Sequence, residues 1–145
     1  MIIEKEVSKL STKIKKINKG SFDLSLVEEK ENMTKLELSN RPIRLFKPAF
    51  KLLKLHDIRA VDFTGMGVQD DHMNILASYL RSNPCLRSIV LNNNPFSDDG
   101  LAQIAKELKT NTKLAHLSFR GCPNITDEGL KQLCEVICTV NTVLF

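Results

Sequence analysis

The chain has 145 residues, of which 42% are apolar and 26% charged, with a formal net charge of +4. This length suggests a single domain, and the composition is ordinary for a soluble globular protein. No apolar run reaches the roughly 18 residues that a membrane-spanning helix needs, and the charged start, residues 1–6, lacks the apolar core of a secretory signal. Four cysteines without C-x-x-C spacing do not form a disulfide framework, so we expect a reducing, cytoplasmic location.

The positive charge is concentrated in the first part of the chain. Residues 1–57 carry 13 Lys and Arg against 8 Asp and Glu, whereas residues 58–145 carry 8 against 9. A basic half is a candidate contact for an acidic partner, although solvated lysines are the simpler interpretation. Its acids and its lack of interleaved aromatic residues argue against nucleic acid as that partner, which we keep as a secondary alternative.

The first predicted element is an amphipathic helix over residues 3–17. Its apolar positions, at steps of four and three, are Ile3, Val7, Leu10, Ile14 and Ile17. Gly20 is its expected end, and Phe22, Leu24 and Leu26 then alternate as in an irregular strand. We favour a cap that covers the first repeat over a docking helix for a partner. Residues 1–32 are therefore expected to form an N-terminal cap, and residues 33–145 a repeat domain.

A strand-like pattern occurs four times after the predicted cap. The copies begin at Met33, Ile58, Leu86 and Leu114, at spacings of 25, 28 and 28 residues. Each places apolar residues in an L-x-x-L-x-L order and then turns. Such alternation predicts a short strand with one buried face.

A helical pattern follows each strand-like copy. The first is expected over Arg44–Leu55, with Pro48 tolerable only in the first turn. Apolar residues then recur at helical steps from Met73, Leu101 and Leu130 onwards. Ser97 and Thr126, each followed by two acidic residues, are expected helix N-caps. A strand and a helix alone cannot bury their apolar sides, so neighbouring units must stack.

These copies resemble the leucine-rich-repeat family over residues 33–145, in particular its ribonuclease-inhibitor-like class with units of about 28 residues. The resemblance implies an α/β solenoid of about four repeats, with a short parallel sheet on the concave side, helices on the convex side and an N-terminal capping helix. One position departs from the family pattern. Where Asn or Cys usually ends the strand, the copies have Arg41, Met66, Asn94 and Cys122, so the first units are expected to be irregular, with glycines around Met66 supplying the turn.

In this architecture, alternate strand residues point outward on the concave side and form the candidate binding surface. These residues are Lys35, Glu37, Ser39, Asp62, Thr64, Ser88, Val90, Asn92, His116, Ser118 and Arg120. The chain has no Trp and a single Tyr, Tyr79, so the surface lacks the aromatic anchors of very tight interfaces. A modest contact, or one of several contacts in an assembly, is expected.

The sequence offers little catalytic chemistry. The histidines and cysteines lack metal-ligand spacing, and no phosphate-binding glycine motif occurs. Asp70-Asp71 and Asp98-Asp99 fall at helix starts, where acids serve capping. Cys134 and Cys138 share a helix face and could bind a metal or oxidise, but we favour two small buried residues. No catalytic residue, metal or cofactor is expected.

The resulting prediction is a non-catalytic scaffold for protein–protein interaction, a structural or adaptor subunit of a larger complex, with family analogy extending to cytoskeletal or ciliary assemblies. An alternative is an enzyme regulator, such as a GTPase activator or inhibitor, for which Arg120 and Asn92 are the candidate residues. Other protein subunits would bind the concave face, the N-terminal helix or an open C-terminal end. That end is expected because Asn141–Phe145 parallels Asn111–Ala115, where a strand begins.

Overall fold

The computed structural model describes residues 35–55, 57–82 and 85–140. The expected cap over residues 1–32 and the strand expected to begin near Asn141 lie outside these residues. None of the described helices is long and apolar enough to cross a membrane.

Within the described residues, four three-residue strands form one parallel sheet in chain order. The strands are β1 (Lys35–Glu37), β2 (Ala60–Asp62), β3 (Ser88–Val90) and β4 (His116–Ser118). Their central residues, Leu36, Val61, Ile89 and Leu117, pair across the sheet in a continuous row. Each is at most 1% exposed, because the period-two pattern turns one apolar side chain per strand towards the helices. The predicted parallel sheet is confirmed.

One helix follows each strand, as the repeat pattern predicted. The helices are α1 (Phe46–Leu55), α2 (Asp70–Ser82), α3 (Asp98–Leu108) and α4 (Asp127–Val140). A 3₁₀ turn, Ile43–Leu45, precedes α1, which therefore begins two residues later than expected. Pro48 is the third residue of α1, where a missing N–H removes no intrahelical bond.

The core lies between the sheet and the helices. In the first repeats it is aromatic: the ring of Phe46 lies 4.9 Å from Phe50 and 5.0 Å from Phe63. Tyr79 joins this cluster, 5.3 Å from Phe50, and its hydroxyl donates to the Leu53 carbonyl at 3.3 Å. The one tyrosine of the chain is therefore a core residue and not a surface anchor.

The apolar stripe of α4 is only partly covered. Leu133 is 2% exposed, but Leu130 is 39% exposed, whereas its counterpart in α3, Leu101, is 1% exposed. Cys134 and Cys138 are exposed as well, so the expectation of two buried cysteines was wrong. The physical reason is positional: α3 packs against α2 on one side and α4 on the other, whereas α4 is the last helix that the structure describes.

Carboxylates link the start of one helix to the start of the next. Asp70, in the first turn of α2, accepts hydrogen bonds from the Ser97 amide and hydroxyl, both at 2.7 Å, and from the Gly100 amide at 3.1 Å. A Cβ atom at Gly100 would lie 2.5 Å from the Asp70 Oδ1 atom, so glycine permits this close approach.

The same link recurs one repeat later. Asp98 accepts hydrogen bonds from the Thr126 amide at 2.9 Å and from the Thr126 hydroxyl. The Thr126 hydroxyl bond, followed by the Thr126 amide bond, lowers the pKa of the Asp98 carboxyl. The sequence correctly placed these acids in first turns, and Ser97 is confirmed as the N-cap of α3. It did not reveal that Asp70 and Asp98 satisfy the free N–H groups of the following helix.

We expect Asp70→Ala to reduce the free energy of unfolding by about 1–3 kcal/mol, because it removes three inter-repeat hydrogen bonds. Asp71→Ala is the matched control, since Asp71 lies in the same first turn but is exposed; its cost should stay below about 1 kcal/mol. Chemical denaturation of both variants measures the difference. Equal losses would show that only the helix dipole matters.

His72 is a pH-sensitive contact near the start of α2. Its Nδ1 atom accepts a hydrogen bond from the Gln69 amide at 3.1 Å, and its ring lies 5.2 Å from Phe46. Burial, with a smaller effect of Lys47, lowers the pKa of His72 below 6.5 against the opposing charge of Asp71.

Because the folded pKa of His72 is the lower one, the unfolded chain takes up this proton first as pH falls. The contribution of His72 to stability is thus complete above pH 6.5 and decreases as the pH falls through the folded pKa. Thermal denaturation between about pH 7.5 and 5.5 should give a shallower pH dependence for His72→Gln than for the parent chain. Superimposable pH profiles would contradict this assignment.

Candidate functional site

The strand register places the predicted surface residues in rows across the sheet. Lys35, Ala60, Ser88 and His116 pair as one row, and Glu37, Asp62, Val90 and Ser118 pair as another. All are exposed or half-buried, while the residues between the rows are buried. Neighbouring side chains in a row stand about 4.8 Å apart, the spacing of paired strands. The register thus aligns these residues across the sheet, while their role in binding stays a prediction.

A third row continues beyond the strand ends. Its members are Ser39, Thr64, Asn92 and Arg120. Backbone bonds keep this row in register: Asn40, Gly65 and Asn93 each donate to the carbonyl of the row residue in the next repeat, at 2.6, 2.9 and 2.8 Å. We call these three rows together the sheet face.

Charge is unevenly placed on the sheet face. Lys35 and Glu37 of β1 form an ion pair with both side chains at least half exposed. The hydrogen bond to Glu37 raises the pKa of Lys35, and the negative charge of Asp62 adds to it. Asp62 also accepts the Thr64 amide at 2.9 Å. The β1–β2 side therefore has one carboxylate, Asp62, in excess of its lysine.

Asn92 is held by its neighbours on the sheet face. Its Oδ1 atom accepts from the Ser118 hydroxyl at 2.8 Å and from the Arg120 amide at 2.7 Å. This oxygen thus fixes the chain at Arg120 and is already engaged in the free protein. Of the two residues, only Arg120 is exposed, and Asn92 is half-buried. Their role in regulating an enzyme stays a prediction.

Two exposed arginines at the sheet edge were missed by the sequence analysis. Arg59 and Arg87 directly precede β2 and β3 and are both exposed. The Arg87 amide donates to the Arg59 carbonyl at 2.8 Å, which makes the two residues neighbours. The sequence contained a signal for this pair, because each arginine directly follows the first apolar residue of its repeat. The period-two pattern, however, assigns a direction only to residues within the strands.

Asn94 fixes the turn at the end of β3 and that of the preceding repeat. It is 1% exposed, and its Oδ1 atom accepts the Gly67 and Val68 amides, both at 3.0 Å. Its Nδ2 atom donates to the carbonyls of Phe63 at 2.9 Å and Leu91 at 2.8 Å. This asparagine therefore bonds to the turning backbone of two successive repeats.

The neighbouring turns use different residues for the same purpose. Gly65 and Gly67 have φ angles of +65° and +81° and flank the buried Met66, as the irregular second repeat predicted. In the fourth repeat the Cys122 thiol donates to the Leu91 carbonyl at 3.3 Å. Burial raises the pKa of Cys122, so this thiol stays protonated and serves the fold.

The described residues offer no assembled metal site. No group of three or more His, Cys, Asp or Glu side chains within this part of the chain could hold a metal ion. A groove of about 370 Å³ lies instead between α3 and α4, with Ala105, Gly129 and Leu133 among its lining residues. None of the residues that line this groove belongs to the sheet face.

Comparison with known proteins agrees with the repeat architecture. The family model described as Leucine Rich repeat matches residues 82–105 and 110–134. The solved structure of leiomodin-1 actin-binding site 2 matches with a TM-score of 0.72 at 17% identity, over 83% of this chain and 72% of that one. The tropomodulin C-terminal domain of Caenorhabditis elegans matches with a TM-score of 0.50 at 8% identity, over 81% and 89%. No curated protein sequence matches significantly.

The matched repeats, the in-register parallel sheet and the helix after each strand define a leucine-rich-repeat solenoid. Two of its repeats match the leucine-rich-repeat family model, and the described residues have the leucine-rich-repeat fold. Its assignment to the ribonuclease-inhibitor-like class remains a prediction.

We expect Asn94→Ala to lower the free energy of unfolding by about 2–4 kcal/mol, because it leaves buried amides and carbonyls without partners. Asn74→Ala, an exposed substitution in α2, should change it by no more than about 0.5 kcal/mol. Urea denaturation followed by circular dichroism checks both values. A cost for Asn94→Ala as small as that of the control would mean that water replaces these bonds.

Proposed function

We propose that the chain is a non-catalytic protein-interaction module, a structural or adaptor subunit of a complex of the actin cytoskeleton. The observation that carries this proposal is the sheet face, whose rows of exposed and half-buried side chains run in register across all four strands. The four strands give it a width of about 14 Å. Half-buried side chains such as Asp62 and Asn92 are held by hydrogen bonds before any partner arrives, which limits the ordering cost of binding.

The composition of the sheet face supports a moderate affinity. Val90 is its one large apolar residue on the strands, and Tyr79 belongs to the core. Interfaces without buried aromatic anchors owe little to hot spots and more to polar complementarity. This favours one contact among several in an assembly, as expected for an adaptor.

The likeness to leiomodin-1 actin-binding site 2 supports the choice of partner. That match covers 83% of this chain. At 17% identity it supports a common fold, and the actin partner is the proposal that the experiment below tests. We therefore infer a cytoplasmic, cytoskeletal location and leave the ciliary alternative aside, because no observation favours it. Enzyme regulation and nucleic-acid binding likewise have no specific observation in their support.

Exchanging the charges of the sheet face tests the proposal. The double substitution Asp62→Lys with Arg120→Glu keeps the net charge and alters the face at the second and the fourth repeat. We expect binding to actin monomers or filaments to weaken at least about tenfold, as loss of charge complementarity does at polar interfaces. Co-sedimentation with filaments and fluorescence anisotropy with labelled monomers measure the two forms separately.

The matched control exchanges Lys131→Glu with Glu135→Lys on α4, where both side chains are exposed and one helical turn apart. Its actin affinity should stay within about twofold of the parent chain. Thermal denaturation of both variants verifies that they fold. No detectable binding of the parent chain to either form of actin would refute the partner, and equal weakening of both variants would move the contact off the sheet face.

A further inference from the structure

The amino-terminal edge of the sheet carries adjacent arginines. The amides of Arg87 and Ser88 both donate to the Arg59 carbonyl, at 2.8 and 2.9 Å. Because Ala60 pairs with Ser88, the backbones of the two arginines lie side by side at the start of neighbouring strands, about 4.8 Å apart. Both side chains are exposed. The repeat therefore sets two exposed arginine residues side by side at one edge.

The next repeat extends this basic edge. The amides of Ala115 and His116 both donate to the Arg87 carbonyl, at 2.8 and 2.9 Å, in the pattern seen one repeat earlier. Lys113 is exposed just upstream, and its amide is fixed by the Asn111 side chain at 2.9 Å. We call Arg59, Arg87 and Lys113 the basic edge.

The basic edge is not neutralised by the described part of the chain. The ion pairs within the described part of the chain are Lys35–Glu37 and Arg81–Glu107, and neither includes a residue of the basic edge. Asp57 lies at the same edge, with its Oδ1 atom 4.0 Å from the Cys85 sulfur, but it forms no ion pair with Arg59, Arg87 or Lys113. Like charges on neighbouring strands repel each other. A partner that brings negative charge removes this repulsion and pairs both guanidinium groups.

We propose that the basic edge binds a carboxylate-rich segment of the partner protein, laid across β2, β3 and β4. Arginine suits this role because its planar fork pairs a carboxylate through two parallel hydrogen bonds. The inference deepens the proposed protein-interaction function and rests on it. It also predicts how the partner is oriented: its acidic segment contacts the basic edge, and a cationic group next to that segment contacts Asp62 on the sheet face.

The same sheet argues for protein over nucleic acid. Glu37 and Asp62 lie on the adjoining sheet face and would repel a phosphate backbone that extended across it. The three rows of the sheet face contain no Phe, Tyr or Trp side chain on which bases could stack. A protein segment can confine its carboxylates to the edge, which a nucleic acid cannot.

Fluorescence anisotropy with a labelled oligoglutamate peptide tests the basic edge directly. The full chain should bind this probe at low ionic strength, and Arg59→Glu with Arg87→Glu should weaken binding at least about tenfold. The control, Lys47→Glu with Lys51→Glu, makes the same change in charge on the exposed surface of α1 and should weaken binding by less than about threefold. Arg59→Gln with Arg87→Gln gives a milder variant, should charge reversal prevent folding.

The outcomes separate this inference from the proposed function. Unchanged peptide binding in both arginine variants, or equal losses in the arginine and lysine variants, overturns the basic edge. Tighter, arginine-dependent binding of oligothymidylate than of oligoglutamate would overturn it in favour of nucleic acid. If oligoglutamate binding depends on the arginines but actin does not bind, the edge stands and only the actin partner fails.

Discussion

Burial shared between repeats is the interaction on which the rest of the structure depends. A strand of three residues offers the core one apolar side chain, and a helix one stripe, so a single unit leaves its flanks in water. Leu36, Val61, Ile89 and Leu117 are buried because each lies between the helices and its neighbours in the row. The 39% exposure of Leu130 shows the converse, where the described stack provides no further helix.

Polar links add register to this burial. The Asp70 carboxylate reaches forward to the start of the next helix, while the Asn94 amide reaches back to the turn of the preceding repeat. Hydrogen bonds are directional, whereas apolar contact is not. Links in both directions therefore hold the 28-residue units in one phase, and this phase aligns the rows of the sheet face.

The binding surface follows from the same alignment. Because equivalent positions recur at one strand spacing, a residue repeated in two units becomes a pair in space. Repetition turns Arg59 and Arg87 into adjacent cations, and it places Asp62 of β2 beside Glu37 of β1. The arginines of the basic edge and the carboxylates Glu37 and Asp62 of the sheet face thus occupy different parts of one sheet. Such a distribution favours orientation and selectivity of a protein partner over affinity alone.

The sequence by itself determined the elements and the sides they bury. Periods of two and of three to four residues predicted the four strands, their helices, and the outward position of residues such as Ser88 and Ser118, because these patterns depend on local geometry. Only the tertiary structure decided which residues meet across repeats, such as the Ser97 amide that donates a hydrogen bond to Asp70, or the adjacent Arg59 and Arg87. It also decided that Cys134 is exposed. The reason is physical, since periodicity along a chain gives the direction of a side chain, whereas contact and burial depend on which neighbouring unit lies against it.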